Sequence, residues 1–271
     1  MIDALGRYGA SLTVTDDLEE HARTVERWGY SAIWVAGGQL ATLDPLLRIL
    51  RATTRVAVVP GIIPLDVHGP EAIAELYAEA EGIAPGRLVA GIGNQKGGIA
   101  GLRRALDEID AAVPRERRLL AALGPRKLEL AGERFGGAVT LLVNPEYTAW
   151  ARDRLGGDST LVVDQLVVLD EDQQAAGVAA RELLGFLAKV PGYSAAFSRM
   201  GFGDAEIGEL SDRLVDATFA WGGVDRVLAR VREQEKAGAD HVVIGPVGGP
   251  GELETLERLV PHLLQVPPVV E

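Results

Sequence analysis

The stretch Arg118-Leu-Leu-Ala-Ala-Leu-Gly124-Pro125-Arg126-Lys127 decides the fold, because it joins an apolar run of strand length to the start of a helix. Pro125 suits the first helical position, where its missing N–H costs nothing and its φ angle is preset. Such a turn directs unpaired N–H groups and the positive end of the helix dipole at one point. Arg126 and Lys127 oppose that dipole, so an anionic ligand would explain them; a solvent-facing pair at an ordinary helix start is the alternative.

The same unit of strand, turn and helix recurs along the chain. Continuous Val, Ile and Leu runs without polar alternation are typical of parallel strands that are covered on both faces. We predict strands at 8–14, 31–36, 55–60, 86–93, 118–124, 137–143, 161–168 and 238–245. Helical patterns cover 18–28, 44–50, 70–80, 102–109, the residues after Pro125, 145–155, 171–189, 222–237 and 253–264. A longer polar and helical segment, 191–220, is inserted before the last unit.

Eight β/α units in a chain of 271 residues favour an α/β fold of the closed (β/α)₈ TIM-barrel type. A doubly wound open sheet would need about six strands. No linker rich in Ser, Pro or charge divides the chain, so we expect one domain over residues 1–271.

Composition excludes several classes of partner. The chain has 27 Lys and Arg against 39 Asp and Glu, a net charge of −12, which disfavours nucleic acid and anionic membranes. It has no cysteine and therefore neither disulfides nor thiolate metal sites, and its four histidines show no metal-binding spacing. Because no run of 18 apolar residues and no signal-like start occurs, we expect a soluble, cytoplasmic protein with no metal.

The active site of such a barrel lies at the C-terminal ends of its strands. Glycines recur at these ends, where they permit a positive φ angle or a close backbone approach, or simply form turns. The candidates are Ser11, Thr13, Gly37, Gly38, Gln39, residues 61–68, Gly93, Asn94, Gln95, Lys96, residues 124–127, Asn144 and residues 245–249.

The order of several motifs resembles the bacterial luciferase-like monooxygenase superfamily, and more narrowly its branch that uses the deazaflavin coenzyme F420. The motifs are Gly86-Arg-Leu-Val-Ala-Gly-Ile-Gly93, the segment 118–138 that includes Gly124-Pro-Arg, Pro145-Glu-Tyr-Thr, Met200-Gly-Phe, Ser211-Asp-Arg-Leu-Val-Asp216 with Trp221-Gly222, and Ala237-Gly-Ala-Asp-His-Val-Val. The resemblance spans nearly the whole chain. It implies a small-molecule substrate and a homodimer.

The resemblance also implies the positions of a cofactor site. A non-prolyl cis peptide at Gly61–Ile62 would form a bulge against the deazaflavin or flavin ring. The turn after strand five would hold the cofactor phosphate, and Asn94 would hydrogen-bond the ring edge. The implied cofactor-binding residues are Gly61, Ile62, Gly93, Asn94, Leu123, Gly124, Pro125 and Arg126.

The chain departs from the family where polar and aromatic pocket residues are usual, for example at Gly37-Gly38 and at Gln95-Lys96. We choose Asp66 as the acid/base group, with a turn-forming Asp as the alternative, and Ser11, Gly38 and His68 as substrate contacts. Either Asp164 or Gln165, which interrupt an apolar strand, points into the barrel. Tyr193, Phe197 and Arg199 are interpreted as part of a lid, or as a surface helix.

We therefore predict an F420-dependent oxidoreductase that moves a hydride between the deazaflavin and a small organic substrate. One alternative is an FMN-dependent monooxygenase. The second alternative is a cofactor-free enzyme or ligand-binding homologue, and it is motivated by the replacement of the family's usual polar and aromatic pocket residues.

Overall fold

The structure, a computed structural model, describes residues 2–94 and 96–264, apart from the side chains of Gln39 and Pro191. Its strands are β1 (Tyr8–Leu12), β2 (Ala32–Val35), β3 (Ala57–Pro60), β4 (Ile63–Pro64), β5 (Ala90–Gly93), β6 (Arg118–Ala121), β7 (Gly137–Leu141), β8 (Thr160–Val168), β9 (Ala220–Trp221) and β10 (His241–Pro246). Its α-helices are α1 (Leu18–Trp28), α2 (Asp44–Ala52), α3 (Pro70–Ile83), α4 (Gly98–Ile109), α5 (Pro125–Arg134), α6 (Pro145–Leu155), α7 (Gln173–Leu187), α8 (Pro191–Arg199), α9 (Asp204–Glu209), α10 (Asp212–Thr218), α11 (Val224–Lys236) and α12 (Glu252–Leu263).

The strands form a parallel barrel, in the order β3-β2-β1-β10-β8-β7-β6-β5-β4. A bridge between Val58 and Leu88 and the pairing of β4 with β5 close it, so β3 and β4 together occupy one position of an eight-position barrel. The predicted (β/α)₈ fold is confirmed, and the predicted insertion at 191–220 contains helices α8 to α10. The short strand β9, which pairs with the end of β8, was not predicted because it has only two residues.

Local sequence sets most of the helix ends. Proline occupies the first turn of α2, α3, α5, α6 and α8, where backbone N–H groups have no partner within the helix and the missing N–H of proline costs no hydrogen bond. Asn144 caps α6 by accepting a hydrogen bond from the N–H of Tyr147 at 2.9 Å. Helix α1 ends at Gly29, whose φ of 100° lies in the left-handed region. These signals explain why the predicted helix limits agree with the structure to within a few residues.

The barrel interior is filled by small and branched side chains, which include Ala32, Val59, Val162 and Val243, together with Trp34. Ile2 and Leu5 join this cluster from the N-terminal segment. A much larger core lies between the strands and the surrounding helices. A third cluster joins α7, α8 and α10 to Leu166 of β8. In the part of the chain that is described, no helix has the length and apolar character needed to cross a membrane.

Candidate active site

The C-terminal end of the barrel is partly open to solvent. Strand register places four half-buried side chains on the inner face near this end: Ser11, Ala121, Leu141 and Asp164. Ile62, which is also half-buried, packs against the barrel interior from the bulge. The layer beneath them, which includes Trp34, Val59, Val162 and Val243, is almost completely buried. The opening is therefore a mainly apolar cup, and the carboxyl group that the described residues place in it is that of Asp164.

A bulge between β3 and β4 forms one wall of this cup. The Gly61–Ile62 peptide bond is cis, as the resemblance implied. The Ile62 side chain lies across β5, so that a Cβ on Gly93 would be 2.6 Å from Ile62 Cδ1. A Cβ on Gly37 would be 2.4 Å from the Ile62 carbonyl oxygen. Glycine at these strand ends therefore makes room for the protein's own bulge, and a contact of Gly93 with a cofactor stays a prediction.

Trp34 lies directly under the bulge. Its Cε3 atom would be 3.2 Å from a Cβ on Gly61, and its indole N–H donates a hydrogen bond of 3.1 Å to Nε2 of His241. Because Nε2 accepts, Nδ1 carries the proton and donates to the Gly6 carbonyl at 3.0 Å. Complete burial lowers the pKa of His241 to about 4, so this histidine is a neutral part of the barrel interior and not a catalytic base.

The turn before α5 is open. No atom lies within 4 Å of a Cβ built on Gly124, and Arg126 is exposed. Among the described residues, the N–H groups of Gly124 and Arg126 have no hydrogen-bond acceptor. Leu123, Gly124 and Pro125 are half-buried at the same edge. The turn therefore has unpaired N–H groups beside an exposed guanidinium, and anion binding there stays a prediction.

Lys127 differs from the expectation that it adds charge to this site. Its ammonium group donates a hydrogen bond of 3.0 Å to the backbone carbonyl of Asn94. Burial lowers the pKa of Lys127, and the charge of Asp66 acts in the opposite direction. The half-buried Lys127 side chain is turned toward the end of β5, so Arg126 is left as the exposed cation of the turn.

Sequence reasoning did not link Arg199 to this edge. The Arg199 guanidinium lies 3.5 Å from the Leu123 carbonyl, which also accepts a hydrogen bond from the Tyr147 hydroxyl. Arg154 and Arg199 both lie over the Trp150 ring, at 4.3 and 4.9 Å from its centroid. The signal that could have found Arg154 is its position on the helix that follows the adjacent strand β7.

The other predicted cofactor and acid/base residues occupy the neighbouring edge. Asn94 donates from Nδ2 to the carbonyls of Lys96 and Gly98, and its Oδ1 is buried with no partner among the described residues. Asp66 is exposed and accepts a hydrogen bond from the Lys96 N–H at 3.2 Å. This contact links the loop after β4 to the loop after β5, and the acid/base role of Asp66 stays a prediction. Gln95, another candidate, lies outside the described residues.

The predicted substrate contacts are not all in the cup. Ser11 lies on its inner face, next to Trp34 in the register of β1 and β2. Gly38 is exposed with open space around it. His68 donates from Nε2 to the Leu40 carbonyl at 3.0 Å and so links the loops after β2 and β4. His68 therefore orders the rim, and its contact with a substrate stays a prediction.

The titratable group inside the cup is Asp164. It points inward, whereas Gln165 points outward and bonds to Gln234 and Thr218. No hydrogen-bond donor among the described residues reaches the Asp164 carboxyl, and its Oδ1 is completely buried. Burial raises the pKa of Asp164 to about 7. Sequence analysis noted that a polar residue interrupts this strand but could not assign which of the two faces inward.

These features define a class: a (β/α)₈ barrel with a cis-peptide bulge and an open helix-start turn at the C-terminal end. Residues 3–109 match the model of the luciferase-like monooxygenase family, Bac_luciferase. The resemblance to that superfamily predicted from the sequence is confirmed. Over 96 residues the chain is 31% identical to the uncharacterized protein YceB of Bacillus subtilis (strain 168). This match covers 33% of this chain and 29% of YceB, so it spans less than a third of the relative's length.

Solved structures of low identity share the whole fold. The coenzyme F420 dependent tetrahydromethanopterin reductase from Methanopyrus kandleri has a TM-score of 0.72 at 18% identity, covering 96% of this chain and 99% of the reductase. An F420-dependent secondary alcohol dehydrogenase, solved with an F420-acetone adduct, has a TM-score of 0.72 at 13% identity, covering 97% of this chain and 99% of the dehydrogenase. The FMN-bound oxygenating constituent of 3,6-diketocamphane monooxygenase from Pseudomonas putida scores 0.65 at 12% identity, covering 94% and 96%.

Proposed function

We propose that this protein is an oxidoreductase that binds F420 at the open end of the barrel and moves a hydride between the deazaflavin ring and a small organic substrate. The observation that carries the proposal is the pairing of an apolar cup, bounded by the Gly61–Ile62 bulge, with an open and basic anion turn at Gly124 to Arg126. A flat ring with an anionic tail needs these two environments side by side.

The residues present fit such a group. The free N–H groups of Gly124 and Arg126, with the exposed guanidinium of Arg126, suit a phosphate. The unpartnered Oδ1 of Asn94 is an acceptor suited to a ring N–H group. When bound, the deazaflavin supplies or accepts the hydride; the protein orients the ring, excludes water and holds the tail.

The same site suits FMN, which also joins a flat ring to a phosphate, and a relative of this fold is solved with FMN. The FMN-dependent monooxygenase is therefore the second candidate. Isothermal titration calorimetry of the full chain with F420 and with FMN separates the two. Binding of F420 and not FMN supports the proposal, binding of FMN alone supports the alternative, and binding of neither overturns both in favour of a cofactor-free protein.

Arg126→Glu tests the anion turn. Because the variant replaces attraction of the phosphate by repulsion, we expect cofactor affinity to fall about 10- to 100-fold, measured by the same calorimetry. Arg104→Glu makes the same charge change on the exposed face of α4 and is the matched control. Equal affinities for the two variants would mean that the phosphate binds elsewhere.

A further inference from the structure

An inward-facing carboxyl group without a partner needs an explanation. Asp164 lies on the inner face of β8, between Leu141 of β7 and Val243 of β10 in the register of the barrel. Its Oδ1 is buried with no hydrogen bond among the described residues, while the residue as a whole is half-buried at the open end. A buried carboxyl group without a donor lowers stability, so a purely structural role does not account for it.

The surroundings of Asp164 are uncharged and leave no room for a larger neighbour. A Cβ on the adjacent Gly245 would be 3.1 Å from Asp164 Oδ1, so a side chain at that position would crowd the carboxyl group. Leu141 and Gly245 carry no charge, and the titratable group that faces Asp164 from the packed helix α8, within the described chain, is Tyr193. Burial, with a smaller contribution from the Asp164 charge, raises the pKa of Tyr193, so this phenol stays neutral.

We propose that Asp164, in its protonated form, donates a hydrogen bond and then a proton to the carbonyl oxygen of a small uncharged substrate. This inference rests on the proposed function and names its substrate class, a neutral ketone or aldehyde and the matching alcohol. A carboxylic acid in an apolar cup binds a neutral acceptor well, whereas a carboxylate substrate would meet no basic partner beside Asp164 among the described residues.

The step balances as follows. The reduced cofactor would supply a hydride to the carbonyl carbon and would itself be oxidised. The π electrons would move to the carbonyl oxygen, which would take the Asp164 proton and give the alcohol. Asp164 would be left as a carboxylate that solvent reprotonates. Because burial raises the pKa of Asp164 to about 7, both protonation states are populated near neutral pH, as a general acid requires.

The first test uses the protein without cofactor. Infrared spectra of the full chain between pH 5 and 9 should show the C=O stretch of a protonated carboxylic acid that disappears through about pH 7. Asp164→Asn should remove this band, and Asp153→Asn, on the exposed face of α6, should retain it. A wild-type protein without the band at pH 5 to 6 overturns the inference, even if Asp164→Asn fails to fold.

The second test measures reduction of cyclohexanone and acetophenone by the full chain with reduced F420, or reduced FMN if calorimetry selects FMN. We expect kcat/KM of the wild type to fall above about pH 7, and Asp164→Asn to be about 10²- to 10³-fold slower with a flat pH profile. Cofactor affinity of the variant should match that of Asp153→Asn.

The outcomes separate this inference from the proposed function. Suppose that a cofactor binds. If Asp164→Asn then keeps wild-type rates, or if neither ketone is reduced, the role of Asp164 is overturned and the proposed cofactor site stands. Failure of both cofactors to bind overturns the proposed function, and the inference falls with it.

Discussion

At the scale of single residues, the glycines of β5 show how closely the bulge packs on the neighbouring strand. A Cβ on Gly91 would lie 2.0 Å from the carbonyl oxygen of Pro60, which is backbone and cannot rotate away. A Cβ on Gly124 would have no atom within 4 Å, and the φ of Gly124, −111°, suits any residue. The two positions therefore form a matched pair of substitutions.

We predict that Gly91→Ala lowers the free energy of unfolding by about 1–3 kcal/mol, because β3 and β5 must separate to admit the methyl group. Gly124→Ala should change it by less than about 0.5 kcal/mol. Urea denaturation followed by circular dichroism measures both. Equal stability of the two variants would show that the strands do not approach as closely as described.

At the scale of elements, the inserted helices form a unit with its own apolar cluster. Phe197 of α8 is completely buried against residues of α7 and α10, and its ring centroid lies 6.3 Å from that of Tyr193. Leu141 and Leu166, at the ends of β7 and β8, also contact this cluster. The insertion therefore packs beside the open end of β7 and β8, and its role as a lid stays a prediction.

We predict that Phe197→Ala lowers the free energy of local unfolding of this unit by about 3–5 kcal/mol, the usual cost of truncating a buried aromatic side chain. Amide hydrogen exchange should accelerate in α8 to α10 and stay unchanged in β1 to β6, because the insertion contributes to a separate cluster. Phe186→Ala on α7, where the ring is 63% exposed, is the matched control. Uniform acceleration through the barrel strands would contradict this separation.

At the scale of the whole molecule, two buried groups give the stability opposite dependences on pH. The pKa of His241 is lowered to about 4, so the unfolded chain binds more protons between about pH 4 and 6.5 and stability falls as the pH falls through that range. The pKa of Asp164 is raised to about 7, so the folded chain binds more protons and stability falls as the pH rises from about 4 to 7.

We predict that the variants His241→Gln and Asp164→Asn separate these effects. Glutamine can accept from Trp34 and donate to Gly6 without titrating, so the stability of His241→Gln relative to wild type should rise by about 3 kcal/mol from pH 6.5 to pH 4. The stability of Asp164→Asn relative to wild type should rise by a similar amount from pH 4 to pH 7. Urea denaturation across this range, with the exposed His262→Gln as control, measures both slopes. Parallel curves for the variants and wild type would contradict the assigned burial.

Sequence periodicity and local chemistry determined the order and limits of the main strands and helices. The reason is that these signals are local: Pro125 and Pro145 start helices, Gly29 ends one, and a buried parallel strand is apolar throughout. The strand-to-helix turn at Gly124 to Arg126 is also a local feature, so the sequence alone predicted its backbone, and anion binding there stays a prediction.

Contacts between distant segments, which only the tertiary structure decided, set the details of the site. Lys127 turns to the Asn94 carbonyl, 33 positions earlier, and Ile62 occupies the space left by Gly93. Asp164 faces the barrel interior and Gln165 faces the helices because strand register, and not residue type, assigns each side chain to a face. The composition of a strand shows that it is buried, but the direction and the partners of each polar side chain depend on which elements the closed barrel brings beside it.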